Sequence, residues 1–298
     1  MDKNIFKVKG SYVNGQWFNS KNRYDIFNPS NGEKLSDVPI SDKKELELAV
    51  DSAKKAQLIW SKTSLIERAN ALEKLAKKIL EKEEEFALID TYDSGNALTG
   101  MRKDVKETVN NIRYFCGLVR EVKGETFSME KNHLNFTRYQ PYGVVLKINP
   151  FNHPFRFCVE KIAAPLLMGN SLIIKNSEQA PISSLRFCEL LEDIFPKGLI
   201  NVVTGGPDNG KFLVEHPDIK RIAVIGSVNT GIAIAKSAAP LLKNISLELG
   251  GKNPIIVFDD ADPDFAASLA IKGMNLSRQG QSCSSTSRVP VSYTHLTL

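Results

Sequence analysis

The residue with the clearest chemical potential is Cys283, which lies in the stretch SRQGQSCSST at 277–286. A thiol among small polar residues and backbone N–H donors is more reactive than a thiol buried among apolar side chains. Three other cysteines stand in the apolar helical contexts YFCGL, RFCVE and RFCEL, and we expect them to be inert; they are Cys116, Cys158 and Cys188. No C-x-x-C pair occurs, so neither a zinc site nor a disulfide framework is indicated. Cys283 is therefore the candidate nucleophile.

Two further side chains have the chemistry that a cysteine nucleophile requires. Glu248 follows a β-branched run in ISLELGGKNP, ahead of two glycines that permit close approach of the backbone. A carboxyl group buried at that point has a raised pKa, as a general base near neutral pH needs. Asn152 lies between Pro150 and Pro154 in KINPFNHPF, and its amide is a suitable donor to an oxyanion, although asparagine is also an ordinary turn residue. Glu248 and Asn152 are therefore candidate partners of Cys283.

Two segments have features of a dinucleotide site. In RIAVIGSVNTGIAIAK, a strand runs into Gly226 and Ser227 and then into a helix, whose N-terminus offers free N–H donors to a pyrophosphate. The full G-x-G-x-x-G pattern is absent, so an ordinary strand-to-helix turn is the alternative. In SLIIKNSEQAP, Lys175 and Glu178 end a strand. A carboxylate there accepts both ribose hydroxyls of NAD and repels the extra phosphate of NADP, whereas a helix cap before Pro181 is the alternative.

These candidates lie at the ends of predicted strands. Short apolar runs alternate with helix-length segments in the second half of the chain; the runs are VVLKI at 144–148, SLIIK at 171–175, INVV at 200–203, RIAVI at 221–225 and NISLE at 244–248. Continuous apolar strands that alternate with helices predict a parallel sheet covered on both faces. Ligands of such sheets bind at the carboxyl ends of the strands. We therefore expect an α/β fold in which the candidate residues meet at one edge of the sheet.

The first third of the chain predicts a hairpin followed by amphipathic helices. The Asn14-Gly15 pair in YVNGQWF is typical of a tight two-residue turn between strands. Further on, Ser64 and Glu67 have the spacing of a capping box, as do the aspartate and glutamate of SDKKE at 41–45, and each precedes apolar residues at helical period. These helices carry no evident reactive residue.

The segment EVKGETFSMEKNHLNFTRYQ at 121–140 loses the helical period and alternates in HLNFTRY. This pattern predicts a pair of strands outside the main sheet. An open strand edge needs a partner, so we expect the pair to join another chain; an exposed hairpin without a partner is the alternative.

Composition excludes several classes of protein. The 39 basic and 34 acidic residues leave a formal charge of +5, and the lysines lie beside glutamates in a way typical of solvated helix faces rather than of a nucleic-acid patch. No stretch approaches the roughly 18 to 20 apolar residues that cross a bilayer, and MDKNIFKVKG lacks the apolar core of a signal peptide. We expect a cytoplasmic protein that binds neither nucleic acid nor a membrane, with no metal site.

Five motifs, in this order, closely resemble those of the aldehyde dehydrogenase superfamily: PFNHP, KNSE, GSVNTG, LELGGKNP and GQSC. The resemblance extends over nearly the whole chain, from the hairpin to Arg288. It implies oxidation of a small-molecule aldehyde to a carboxylic acid with NAD, or alternatively NADP, through a cysteine thiohemiacetal and thioester.

The resemblance also implies domains and residue roles. A Rossmann-like coenzyme domain would cover 1–120 and 141–250, oligomerisation strands 121–140 and the start of a catalytic domain 251–290, in a homodimer or homotetramer. By match to the family motifs, Cys283 is the nucleophile, Glu248 the base that activates water, and Asn152 the oxyanion donor, joined by the Cys283 N–H. The coenzyme contacts implied are Ile148, Pro150, Lys175, Ser177, Glu178, Gly226, Ser227 and Gly250.

Members of the family typically continue well beyond the cysteine, whereas this sequence stops at Leu298. We therefore expect a C-terminally truncated fragment of a longer parent protein, and weak or no activity from the chain alone. Residues 291–298, VSYTHLTL, resemble one reading frame of a sequencing adapter and are expected to be a non-native tail.

Three alternatives remain for the function. A CoA-acylating aldehyde dehydrogenase would pass the thioester to a thiol, although members that do so generally lack the glutamate that Glu248 matches. A catalytically incompetent fragment would keep NAD binding alone. A cysteine hydrolase would use Cys283 with His153 and Asn152 and would need no nicotinamide.

Overall fold

The computed structural model describes residues 3–290, so the expected non-native tail at 291–298 lies outside the described residues. The first part of the chain has two antiparallel strand pairs followed by long helices; these are β1 (Ser11–Val13), β2 (Gln16–Phe18), β3 (Arg23–Phe27), β4 (Lys34–Pro39), α1 (Lys43–Trp60), α2 (Leu65–Glu81), α3 (Glu83–Ser94) and α4 (Leu98–Leu118). A hairpin follows; it consists of β5 (Thr126–Glu130) and β6 (His133–Phe136).

The rest of the chain alternates strands with mostly short helices. These are β7 (Val144–Ile148), α5 (Pro154–Val159), α6 (Ala163–Leu167), β8 (Ser171–Lys175), α7 (Ile182–Phe187), β9 (Ile200–Val203), α8 (Pro207–Glu215), β10 (Ile219–Gly226), α9 (Val228–Ala238), β11 (Asn244–Leu249), β12 (Asn253–Pro254), α10 (Pro263–Gly273) and β13 (Thr286–Arg288). All five apolar runs identified in the sequence form strands. Strand β10 extends beyond its run by two residues at the N-terminus and one at the C-terminus, and β11 extends by one residue at the C-terminus.

Within residues 3–290, the main sheet has seven strands in the order β11-β10-β7-β8-β9-β1-β2. The strands from β7 to β11 are parallel to one another, while β1 and β2 add an antiparallel edge. In chain order the parallel strands run β7, β8 and β9 to one side and β10, β11 to the other, which is the doubly wound order. The α/β, Rossmann-like fold class expected from the sequence is confirmed, and the sheet has its topological switch point between β7 and β10.

Both faces of the sheet are covered, which explains the continuous apolar strands. Leu172 and Ile174 of β8 belong to the core cluster formed with the helices from α2 to α7, whereas Ile173 belongs to the cluster formed with α1, α8 and α9. Successive side chains of a strand point to opposite faces, so one strand supplies both cores. The close packing on either side fixes the positions of the strand ends at which the site lies.

Local signals in the first part of the chain act as the sequence indicates. Asn14 and Gly15 both have positive φ, 53° and 70°, as a type I′ hairpin turn between β1 and β2 requires. Ser64 and Glu67 form the full capping box at α2, with each side chain accepting from the other residue's backbone N–H. At α1 only half of the box forms, because the carboxylate of Glu45 instead accepts a hydrogen bond from the Ser11 hydroxyl at 2.9 Å.

The predicted strands at 121–140 form a separate antiparallel pair, β5 and β6, outside the main sheet. Apolar side chains on this pair are exposed; they are Phe127, Met129, Leu134 and Phe136. The strand pair is confirmed, whereas its role in oligomerisation and the division of the chain into domains stay predictions. Among the described residues, none of the helices is long and apolar enough to cross a bilayer.

Candidate active site

The candidate residues meet in one cleft of about 760 Å³ at the carboxyl ends of β7 and β10, the switch point of the sheet. Such a crevice is where doubly wound sheets bind their ligands. The cleft is lined by all of the catalytic and coenzyme residues that the family resemblance implies: Ile148, Pro150, Asn152, Lys175, Ser177, Glu178, Gly226, Ser227, Glu248, Gly250 and Cys283. Folding therefore assembles one candidate site from five separate segments of the chain.

One wall of the cleft is the junction of β10 and α9. Ser227 is the N-cap of α9, and its hydroxyl accepts a hydrogen bond from the Thr230 N–H at 3.1 Å. The first turn of the helix has further N–H groups without a partner inside the helix, and the positive end of the helix dipole lies at the same place. Gly231, one turn in, lies where a Cβ would be only 2.8 Å from the Leu249 side chain, so this glycine permits α9 to pack closely on β11. The junction therefore suits an anionic ligand.

The end of β8 supplies a cation and an anion to the cleft. Lys175 is buried, and its Nζ lies 3.6 Å from a carboxylate oxygen of Glu178, which is itself partly exposed. Burial lowers the pKa of Lys175, and the neighbouring Glu178 partly opposes this shift. The Ser177 hydroxyl accepts from the Gln179 N–H at 3.2 Å, which shapes the turn after the strand. This edge of the cleft offers one ammonium group and one carboxylate to a ligand with hydroxyl groups.

Asn152 lies on the loop between β7 and α5. The loop ends at Pro154, which occupies the first position of the helix. The side-chain Nδ2 of Asn152 donates to the Gln281 carbonyl at 2.8 Å, two residues before the candidate nucleophile. The backbone carbonyl of Asn152 accepts from the Asn96 side chain at 3.0 Å, and within residues 3–290 its buried Oδ1 has no hydrogen-bond partner. The bond to Gln281 thus holds the amide at the thiol-bearing segment, and it uses only one of the two Nδ2 hydrogens.

The four thiols differ as expected from their sequence contexts. Cys283 is exposed at the cleft, and its carbonyl accepts from the Asn253 side chain at 2.9 Å, which fixes the backbone of the thiol-bearing segment. Cys158 and Cys188 are fully buried, and burial raises the pKa of Cys158 to about 11 and that of Cys188 well above its ordinary value. Burial also raises the pKa of the half-buried Cys116 to about 11. Only Cys283 among them is therefore placed to react.

Glu248 corrects one expectation. The sequence argument placed its carboxyl group in a buried position, but the side chain is exposed. The reason is the position of β11, which is the outermost strand of the main sheet on the side of β10, so the end of β11 has a neighbouring strand on one side only. Glu248 still lines the same cleft as Cys283 and Asn152, so its location agrees with the prediction while its burial does not.

A second cavity, of about 500 Å³, also reaches Cys283. It is lined by residues of α4, of the Asn152 loop and of the segment before the thiol, among them Lys103, His153, Arg156, Ser277 and Arg278. This cavity does not include the residues of β8 and β10 that line the first cleft. Cys283 therefore lies where two separate openings meet, as a nucleophile between two ligands would.

Sequence reasoning missed a buried ionic cluster behind the site. Asp104 of α4 bonds to the His153 ring, and the guanidinium of Arg278 donates to both of its carboxylate oxygens. The N-terminal helices carry no evident reactive residue, but α4 supplies the buried carboxylate of this cluster. The arginine in SRQGQSC was a visible signal, since a charge beside a reactive thiol needs a partner. No signal in the sequence indicated Asp104, because an aspartate in an amphipathic helix looks like any solvated residue.

Known proteins resemble this chain over most of its length. The model of the Aldehyde dehydrogenase family matches residues 17–295. Aldehyde dehydrogenase tropH of Talaromyces stipitatus is 38% identical over 283 residues, which cover 93% of this chain and 55% of that protein. Hydroxyisobutyraldehyde dehydrogenase of Mycolicibacterium austroafricanum is 36% identical over 282 residues, which cover 93% of this chain and 56% of that protein.

Solved structures give the same result. Betaine aldehyde dehydrogenase from Staphylococcus aureus, in complex with NAD+, matches with a TM-score of 0.94 at 35% identity, over 98% of this chain and 60% of that one. An aldehyde dehydrogenase from Bacillus cereus, also an NAD+ complex, matches with a TM-score of 0.93 at 33% identity. The chain spans little more than half the length of the curated relatives it matches. By its sequence and by its structure, the chain belongs to the aldehyde dehydrogenase family.

Proposed function

We propose that the parent protein of this chain oxidises an aldehyde to a carboxylic acid, with NAD+ as the hydride acceptor. The observation that carries the proposal is the single cleft at the switch point, which contains a thiol, an amide and a carboxylate from three distant segments beside the capped N-terminus of α9. The family membership of the chain supports it. Because the chain spans 55% of the length of one such relative, the proposal concerns the longer protein.

The residues of the cleft fit a dinucleotide. The N-terminus of α9, capped by Ser227, suits a pyrophosphate, and a Cβ built on Gly226 would approach no atom closer than 3.7 Å, so the bare backbone there leaves room for a ligand. Lys175 and Glu178 suit the hydroxyls of a ribose. Ile148 and Pro150 would line the path between these two groups and Cys283. The two relatives of known structure are NAD+ complexes, which supports NAD+ as the occupant.

In the proposed mechanism, the Cys283 thiolate adds to the aldehyde carbonyl and forms a thiohemiacetal with a negative oxygen. The free N–H of Asn152 Nδ2 and the backbone N–H of Cys283 donate to that oxygen. NAD+, when bound, supplies the acceptor for the hydride that leaves the former aldehyde carbon. The thioester left on Cys283 is then attacked by water as Glu248 takes its proton, and the carboxylic acid and the thiolate are released.

Asn152→Ala tests the oxyanion role. We expect kcat of the parent protein for aldehyde oxidation to fall by about 10²- to 10³-fold, because one such donor contributes about 3 to 4 kcal/mol to the transition state. The KM for the aldehyde should change much less, since the donor acts on charge that develops during the reaction. Steady-state formation of NADH measures both constants. The matched control is Asn110→Ala on the exposed face of α4, which should leave kcat unchanged; equal effects of the two variants would contradict the role.

Glu178→Gln tests the coenzyme preference. We expect the affinity of the 298-residue chain for NAD+ to fall by about tenfold, because a charge-assisted hydrogen bond to a ribose hydroxyl is replaced by a neutral one. The affinity for NADP+ should rise relative to that for NAD+, since the repulsion of the extra phosphate is removed. Isothermal titration with each nucleotide measures the change, and Glu81→Gln on the exposed face of α2 is the control. Equal binding of NAD+ and NADP+ by the unmodified chain would contradict the preference.

We also propose that the β5–β6 pair joins subunits of a homodimer or homotetramer of the parent protein. Its exposed apolar side chains and its separation from the main sheet support this role. An exposed strand edge of this kind readily pairs with a strand of another chain.

A further inference from the structure

Behind the candidate site, one buried carboxylate contacts both loops that carry reactive groups. Asp104 Oδ2 lies 2.6 Å from Nδ1 of His153, the neighbour of Asn152. The Arg278 guanidinium donates to the same carboxylate through both terminal nitrogens, at 2.8 and 3.1 Å, and Arg278 precedes Cys283 by a single short turn. Asp104 and Arg278 are 174 residues apart in the chain. The carboxylate therefore bridges two segments that are otherwise distant.

Asp104 lies on a helix that is packed on two sides. Asp104 is fully buried in the middle of α4, a helix packed against both α2 and α3. Burial by itself raises the pKa of Asp104, but the contacts with His153, Arg278 and Arg156 outweigh it and hold the pKa below its ordinary value. Asp104 thus stays ionised, and a buried ionised carboxylate keeps its partners in place because separating them exposes uncompensated charge.

One arm of the bridge ends at the oxyanion donor, and the other ends two residues before the thiol. One arm runs through His153 to Asn152, and the other runs through Arg278 to Gln281, whose carbonyl accepts from Asn152 Nδ2 at 2.8 Å. The donor and the thiol-bearing segment are thus fixed relative to one another through a closed loop of contacts. A site held in this way keeps its geometry only while each of the contacts holds.

We propose that Asp104 is a positioning residue that sets the placement of Asn152 relative to Cys283 through His153 and Arg278. The role rests on the proposed function, since it concerns the geometry of the same site. Asp104 touches neither ligand opening and takes no part in bond making; it acts by holding two loops on one helix. Small displacements of reacting groups are costly in rate: about 1 Å can cost on the order of 10²-fold.

The first test needs no catalysis. Hydrogen–deuterium exchange is measured on the 298-residue chain carrying Asp104→Asn, His153→Phe or Arg278→Met. Asp104→Asn should accelerate exchange severalfold in both segments, 149–155 and 276–284. Each arm variant should accelerate exchange chiefly in its own segment, because each breaks one contact of the pair. The control Glu73→Gln removes the exposed pair between α2 and Arg113 of α4, and should alter neither segment.

A double variant separates positioning from mere charge balance. Asp104→Asn leaves Arg278 as an unpaired buried cation, and Arg278→Gln added to it removes that charge. If Asp104 positions the loops, the double variant should still exchange rapidly in both segments. Recovery of the unmodified exchange in the double variant would overturn the proposal, as would unchanged exchange in Asp104→Asn or a uniform rise that includes α2.

The second test uses the parent protein. Asp104→Asn should lower kcat for aldehyde oxidation by about 10- to 100-fold while the KM for NAD+ changes by less than about threefold, since the coenzyme wall lies on other segments. An equal loss in both constants would overturn the positioning role. The exchange pattern is independent of the reaction, so it tests Asp104 even where the proposed oxidation fails.

Discussion

Cys283→Ala is expected to lower the NAD+-dependent oxidation of an aldehyde by the parent protein by about 10⁴-fold or more. The proposed reaction passes through a covalent adduct, and without the sulfur no thiohemiacetal forms, so the route itself is lost rather than one stabilising contact. Formation of NADH, followed by its absorbance, measures the effect. NAD+ binding should persist in the variant, because the groups that suit the coenzyme lie on β7, β8 and the β10–α9 junction.

The control for this variant is Cys116→Ala, which removes the half-buried thiol of α4 and should leave the rate within about twofold of the unmodified protein, as expected for a partly exposed site remote from the cleft. Substantial NADH formation by Cys283→Ala would disprove the role of the thiol. Ester hydrolysis by the unmodified protein without any nucleotide, and no aldehyde oxidation with it, would instead favour the cysteine hydrolase alternative.

Glu248→Gln is expected to separate the two halves of the reaction. The thioester should form once per site and then persist, because the amide cannot take a proton from water; steady-state turnover should fall by about 10²- to 10⁴-fold. Rapid mixing with NAD+ and aldehyde should therefore show a burst of NADH close to the enzyme concentration, followed by a slow phase. Mass spectrometry of the quenched protein should find the acyl group on Cys283.

Glu248→Asp is the matched variant, since it keeps a carboxylate but withdraws it by one methylene, and it should retain part of the turnover. Loss of the burst in Glu248→Gln would show that the carboxylate acts before the thioester forms. Unchanged turnover together with acyl-CoA formation on addition of CoA would favour the acylating alternative, in which a thiol replaces water.

The exposure of Glu248 bears on this prediction. A general base at neutral pH benefits from burial, and the structure leaves this carboxyl group open on the outermost parallel strand. The fall in turnover of Glu248→Gln, compared with that of Glu248→Asp, measures whether an open carboxylate at this position still acts as the base.

Much of the fold follows from signals that act over a few residues. The Asn14-Gly15 turn, the Ser64 capping box and the five apolar runs all form as their local patterns predict, because each depends on backbone preference and on the burial of neighbouring side chains. Alternation of strands with helices then restricts the arrangement to a covered parallel sheet. The identity and the order of the motifs at the strand ends similarly come from the sequence.

The assembly of the site is a property of the tertiary structure alone. Asn152 meets Gln281 across 129 residues of chain, and Asp104 meets Arg278 across 174. No local pattern encodes either contact, because each depends on where a whole strand or helix packs. The same reason explains why the sequence showed neither the exposure of Glu248 nor the contacts of Asp104. Residue type determined what chemistry the chain can perform, whereas exposure, pairing and distance were decided by which distant elements packed beside each residue.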